Sequence, residues 1–178
     1  MRVITGFARG KKLATLSDKS IRPTSDKVKE ALFSAIQFDI EGRRVLDLFA
    51  GSGQLGIEAL SRGCDSAVFI DNSQDAINII KQNLKNTGLQ SNSVVFKSDY
   101  SDFLLNCKDN FDIAFLDPPY ASGVLNDALE KTSNVMSSYG IIICEHPTEF
   151  EICNQVNNFH LAKQYRYGKI FISLYKRL

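Results

Sequence analysis

Four consecutive residues, Asp117-Pro118-Pro119-Tyr120, follow directly on the apolar run Phe111-Asp112-Ile113-Ala114-Phe115-Leu116. A buried strand with this ending can hold a flat amine. The Asp117 carboxylate accepts one hydrogen bond from an NH2 group, and the prolines fix the backbone so that a carbonyl accepts a second. Tyr120 offers a ring face for stacking. Planar amines of this kind occur on nucleobases. A second constellation lies upstream, where Val45-Leu46-Asp47-Leu48 opens into Phe49-Ala50-Gly51-Ser52-Gly53-Gln54-Leu55-Gly56. Glycines at a strand-to-helix turn let backbone approach a ligand closely. Asp71 stands twenty residues after Gly51, at the end of the next apolar run, where an acid can accept hydrogen bonds from two ribose hydroxyls.

Gly51-x-Gly53-x-x-Gly56 also satisfies the dinucleotide pattern, which is weak on its own. An NAD-binding oxidoreductase is therefore an alternative, marked by tight NAD binding. Two features count against it. Asp47 would repel a pyrophosphate and attract a cofactor bearing an amine and a sulfonium. A hydride-transfer enzyme also has no evident use for Asp-Pro-Pro-Tyr.

The surrounding pattern must position these groups. Arg2 to Leu13 alternates weakly and turns at Arg9-Gly10, which predicts a small hairpin. Arg22-Pro23-Thr24-Ser25 caps a helix from Asp26 to Gln37, with Val28, Ala31, Leu32, Ala35 and Ile36 on its apolar stripe and Lys27 and Lys29 riding away from it. From Arg43 onward, short apolar runs alternate with amphipathic segments. Strands are predicted at 45–48, 67–70, 93–97, 111–116 and 141–144. Helices are predicted at 54–61, from the Ser73 cap to Thr87 and Gly88, at 100–107 and at 125–135. A terminal hairpin, 161–165 with 170–175, turns around Tyr167-Gly168. Such alternation means a mostly parallel α/β sheet with helices on both faces.

The 178 residues suffice for one real core, and no apolar run approaches the length of a membrane span. The N-terminus lacks the apolar stretch of a secretory signal, so a cytoplasmic protein is expected. Cys64, Cys107, Cys144 and Cys153 are scattered, and with His146 and His160 they show no metal-ligand spacing, so no metal is expected. The net charge of +1 hides an asymmetry. Residues 1–30 carry eight Lys or Arg against three acids, and Lys163, Arg166, Lys169, Lys176 and Arg177 follow Glu151 with no acid. Basic ends around an acidic middle suit a polyanion, and equally a solvated face with a basic tail.

Together the glycine loop, Asp71 and the tetrad resemble the amino-group branch of class I S-adenosylmethionine-dependent methyltransferases. The N-terminal blocks Arg2-Val3-Ile4-Thr5-Gly6, Arg9-Gly10-Lys11-Lys12-Leu13 and Arg22-Pro23-Thr24-Ser25-Asp26-Lys27-Val28-Lys29-Glu30-Ala31-Leu32-Phe33 narrow the match. So do Leu46 to Gly53, Gly56-Ile57-Glu58-Ala59-Leu60-Ser61-Arg62-Gly63 and Tyr167-Gly168. Over nearly the whole chain they resemble the bacterial 16S rRNA guanine-N2 methyltransferase family (RsmD-like). Gln54 departs from the small residue usual there, and Asp71 from the usual Glu.

The resemblance implies a Rossmann-like class I methyltransferase sheet at 41–178 and an RNA-binding hairpin-and-helix extension at 1–40. It implies methyl transfer from S-adenosylmethionine to the exocyclic N2 of guanine 966 in 16S rRNA of the small ribosomal subunit. Asp117, Pro118, Pro119 and Tyr120 would be catalytic. Asp47, Phe49, Ala50, Gly51, Gly53, Asp71, Asn72, Asp99 and Tyr100 would hold the cofactor, although Asn72 reads equally as a turn residue and Tyr100 as a packing residue. Arg2, Arg9, Lys11, Lys12, Arg22 and Thr24 would meet RNA. His146 reads as a satisfied loop histidine. A monomer without metal or membrane is expected. The alternatives are the same chemistry on a DNA adenine or a protein glutamine, and a non-catalytic rRNA-binding assembly factor.

Overall fold

The computed structural model describes residues 1–16, 26–119 and 123–177. The predicted caps at Thr24 and Ser25, and the site residues Arg22, Thr24 and Tyr120, lie outside the described residues.

Eight strands form one sheet in the order β3-β2-β1-β4-β5-β8-β7-β6. They are β1 (Arg44–Asp47), β2 (Ser66–Asp71), β3 (Ser93–Lys97), β4 (Phe111–Leu116), β5 (Met136–Pro147), β6 (Gln155–Val156), β7 (Phe159–Tyr167) and β8 (Ile170–Arg177). The first five pair in parallel and the last three antiparallel, the mostly parallel sheet the alternation predicts. Strand β1 lies centrally. The chain runs outward from it through β2 and β3, then returns to its other side with β4, so the order reverses between β1 and β4. Open α/β sheets bind ligands at such a point, outside the carboxyl ends of the strands.

Each face of the sheet buries its own helices. Alternate strand residues such as Val45, Phe69, Ile113 and Ile143 pack with α1 (Asp26–Ala35), α2 (Gln54–Ser61) and α3 (Gln74–Thr87). Leu46, Ile70, Ala114 and Ile142 pack with α4 (Tyr100–Asn106) and α5 (Leu125–Ser133). Ser73 caps α3 by accepting the Ala76 N–H, and Gly88 closes it in the left-handed conformation, as the sequence predicts. Helix α2 is buried along its whole length because strand β2 and the N-terminal arm cover it from two sides. Gly56 is required for this packing. A Cβ there would stand 2.3 Å from the Phe69 ring on β2.

Several local expectations change, among them the last helix, which ends at Ser133, two residues short of Val135, and β5, which begins at Met136. Arg2 to Leu13 pairs through one bridge, Arg2 with Lys12, because its backbone bonds mostly within tight turns and to α2. Helix α1 stops at Ala35, two residues short of Gln37. Lys29 does not ride away from the apolar stripe. It is fully buried, with its Nζ donating to the Arg2 carbonyl at 2.7 Å and 3.8 Å from Glu58 Oε2, since the arm covers that face of α1. Strand β5 continues past Cys144 through Glu145-His146-Pro147 because β8 pairs with it to Ile170.

Candidate active site at the carboxyl edge

The predicted site residues that are described, apart from the N-terminal cations, gather at the carboxyl ends of β1 to β4. The glycine loop leaves β1 and is tied to both neighbours. Leu48 N–H donates to the Phe115 carbonyl on β4 (3.1 Å), and Ala50 N–H donates to Ile70 on β2 (2.9 Å). Gly53 then caps α2 at φ +76°, a conformation that favours glycine. Gly51 also has positive φ, +54°, and a Cβ built on it would meet nothing within 4 Å. The loop therefore borders open space at its first glycine and packs tightly at its last.

Asp47 lies beneath this loop with 2% of its surface exposed, and its Oδ2 accepts the Gly56 N–H at 2.9 Å. Burial pushes its carboxyl up to about 7, opposed by the Gly56 hydrogen bond and reinforced by the charge of Asp71. Asp71, at the end of β2, holds the loop. One carboxylate oxygen accepts the Gly51 N–H at 2.9 Å and the other the Ser73 N–H at 2.9 Å. Two of its roughly four lone-pair positions are thus used within the chain. Asn72 is exposed beside it.

Asp99 is exposed and caps α4 by accepting the Ser101 N–H at 2.8 Å. Tyr100 turns its ring to Phe49, 5.2 Å away at 43°, and donates its hydroxyl to Asp127 on α5 at 2.8 Å. Partial burial and this bond to a carboxylate push the Tyr100 phenol up to about 12. The packing role noted for Tyr100 is therefore present in the structure, and the ring also borders the loop residue Phe49.

Asp117 follows the last residue of β4, across the switch point from the glycine loop. Pro118 is buried and Pro119 exposed. The two prolines line a shallow, open depression shared with Val124, Glu145, His146 and Phe150. The register of β4 with β5 pairs Leu116 with Cys144, so Asp117 and Glu145 are the next residues on neighbouring strands. Glu145 is 3% exposed, and its place at this edge follows from the pairing of β5 with β8 rather than from any local signal. His146 lies on a strand rather than in a loop, and it is satisfied. Nε2 meets Ser173 Oγ at 2.9 Å, Nδ1 meets the Pro147 carbonyl at 3.0 Å, and burial lowers its pKa.

The first residue of the arm touches the glycine loop, Ser52 Oγ donating to the Met1 sulfur at 3.6 Å. Arg9 and Lys12 are exposed. Arg2 lies 3.9 Å from Asp26, and Lys11 Nζ donates to the Thr87 carbonyl at the end of α3 (3.1 Å). Glu58 anchors the arm and carried a legible signal, as the lone acid in the apolar helix Gln54–Ser61. Among the described residues no group of three or more His, Cys, Asp or Glu could hold a metal ion, and no helix is long and apolar enough to cross a membrane.

The chain is similar to known proteins along nearly its whole length. The model of the family described as conserved hypothetical protein 95 matches residues 1–176. The protein YlbH of Bacillus subtilis (strain 168) is 38% identical over 182 residues, covering 99% of each chain. Ribosomal RNA small subunit methyltransferase D of Escherichia coli (strain K12) is 33% identical over 183 residues, covering 99% of this chain and 90% of that protein. The solved structure of yhhF from Escherichia coli superposes with a TM-score of 0.88 at 32% identity, covering 99% of this chain and 97% of that one. The fold is the Rossmann-like one of class I methyltransferases.

Proposed function

From the premise that this chain belongs to the conserved hypothetical protein 95 family, together with the small subunit methyltransferase D proteins, we propose that it is an rRNA methyltransferase. It transfers a methyl group from S-adenosylmethionine to the exocyclic N2 of a guanine in 16S rRNA, guanine 966 by the family resemblance. The observation that carries this reading is the meeting of the glycine loop and Asp117-Pro118 across the β1–β4 switch point.

The residues fit the cofactor. The open space at Gly51 leaves room for close approach, and Asp71 keeps lone pairs for ribose hydroxyls while it holds the loop. Asp47 is a buried carboxylate with no cation in salt-bridge reach among the described residues, which favours a ligand carrying ammonium or sulfonium charge nearby. Phe49, Ala50 and Gly53 would line the methionine half, with Asn72, Asp99 and Tyr100 toward the adenine. When bound, S-adenosylmethionine supplies an electrophilic methyl on a sulfonium.

The chain's part is to prepare the amine. The N2 nitrogen of guanine is a poor nucleophile because its lone pair is delocalised into the ring. Hydrogen bonds from its two protons to the Asp117 carboxylate and the Pro118 carbonyl favour a tetrahedral nitrogen and free that pair. Tyr120 would stack on the base and set its angle. Positioning and electrostatics then carry most of the rate enhancement. A base in this pocket must leave its stack, which favours a loop nucleotide.

The test is labelled S-adenosylmethionine with small subunits from cells lacking the endogenous activity, followed by mapping of the label. We expect one labelled guanine, and an Asp117→Ala variant that binds S-adenosylmethionine but loses at least about a hundredfold in rate. Label on adenine, on protein or nowhere overturns the reading, as does an active Asp117→Ala.

A further inference from the structure

The N-terminal arm carries a side chain for which the chemistry at the sheet edge has no use. Phe7 is 88% exposed, and Arg9, Lys11 and Lys12 follow within five residues. An exposed ring forfeits the burial that normally stabilises phenylalanine. Yet its backbone is firmly held on α2. Phe7 N–H donates to the Ser61 carbonyl at 2.8 Å, and Ala8 N–H donates to Ser61 Oγ at 3.0 Å. On the other side of the ring, Ile4 and Thr5 donate their N–H groups to Glu58 at 2.8 and 3.0 Å. Gly6 makes this close seat possible, since it sits at φ +86° and a Cβ there would stand 1.7 Å from the Ser61 carbonyl oxygen. The arm is thus bolted to α2 on both sides of a ring that points into solvent.

We propose that Phe7 is a stacking platform for an unpaired base of the RNA substrate, flanked by Arg9 and Lys12 as phosphate contacts. The inference rests on the RNA-substrate reading above and adds a second point of contact, outside the methyl-transfer pocket. Proteins that read single-stranded RNA combine cations tracking the backbone with aromatic rings under the bases. A ring on a pre-fixed loop loses little conformational freedom when it stacks. Charge complementarity chooses RNA over an apolar partner here, because every ionisable residue from 7 to 12 is basic.

The chain contains no tryptophan, so Phe7→Trp introduces a single fluorophore at the proposed contact. The probes are a short single-stranded oligoribonucleotide and a 16S rRNA transcript. We expect RNA to quench the Phe7→Trp emission. Phe7→Leu should weaken RNA binding by roughly tenfold, with the slope of affinity against salt unchanged. Replacing Arg9 and Lys12 with alanine should instead flatten that slope by about 1.4, the share of two phosphates on a single strand. The unfolding midpoint of Phe7→Leu should match the wild type, since the side chain is exposed. Wild-type affinity in Phe7→Leu, or emission unmoved at saturating RNA, overturns the platform while leaving the methyltransferase reading intact. A wild type that binds neither RNA also overturns the platform, and the labelling of small subunits then decides the methyltransferase reading separately.

Discussion

Two buried carboxylates, Asp47 beneath the glycine loop and Glu58 beneath the N-terminal arm, do similar structural work with opposite electrostatics. Each accepts backbone N–H groups, Asp47 from Gly56 and Glu58 from Ile4 and Thr5. Glu58 is surrounded by cations of its own chain, with Arg62 Nε at 2.8 Å and Lys29 Nζ at 3.8 Å. Asp47 has no such partner among the described residues, and its carboxyl is pushed up to about 7. A buried charge matched by the chain's own cations acts as a bolt. One left unmatched costs stability unless a cation comes near it.

Removing the matched acid should have the largest effect. Glu58→Ala leaves Lys29 buried without its acid and releases the arm, and we expect a loss of about 3–5 kcal/mol in urea unfolding. Adding Lys29→Met should restore part of it, because an apolar chain of similar length needs no partner. A loss under about 1 kcal/mol would mean that Glu58 is not a bolt.

The unmatched acid should behave in the opposite way. The folded state keeps a proton on Asp47 up to about pH 7, while the unfolded chain releases it in the ordinary carboxylate range. Native stability therefore falls as pH rises between those two values and is flat above them. Asp47→Asn removes this dependence while its amide oxygen can still accept the Gly56 N–H. Relative to wild type it should gain on the order of a few kcal/mol in thermal unfolding between about pH 4 and about pH 8. The same variant should bind S-adenosylmethionine at least tenfold more weakly by calorimetry. A stability difference that is the same at both pH values would erase the contrast with Glu58.

The smallest effect belongs to the exposed pair between the arm and α1. Arg2 and Asp26 lie 3.9 Å apart with side chains 69% and 48% exposed. Arg2→Ala should change stability by at most about 0.5 kcal/mol, and the change should vanish in high salt. A larger loss would show that the arm is held by surface charge as well as by Glu58.

The parallel half of the sheet is legible in the sequence because β1, β2 and β4 are short apolar runs and α3 is capped by Ser73 and closed by Gly88. The bounds of α2, β3 and β4 match the expected ones. Strand β5 was underestimated because Glu145, His146 and Pro147 resemble loop residues locally, whereas pairing with β8 keeps them extended. Lys29 departs from the helical pattern for a related reason. Helical periodicity assigns a lysine to the solvent side, and only the arm folding over α1 turns that side into an interior. Nothing local marks Phe7 as exposed; its ring stands in solvent because Gly6 seats the backbone of the arm on Ser61.

By itself the sequence determined which chemistry could be assembled, because the glycine loop, Asp71 and Asp117 to Tyr120 have side chains and backbone freedom suited to a cationic cofactor and a flat amine. It also determined the order of elements, since hydrophobic period and capping are local properties. Tertiary structure alone decided which acids are matched and which are left unmatched. Asp47 and Glu58 lie eleven residues apart in one stretch of chain, and their difference arises from whether Lys29 and Arg62 can reach them once the arm, α1 and α2 have packed. Burial and charge pairing depend on partners brought together from distant positions, so they form only when the chain folds.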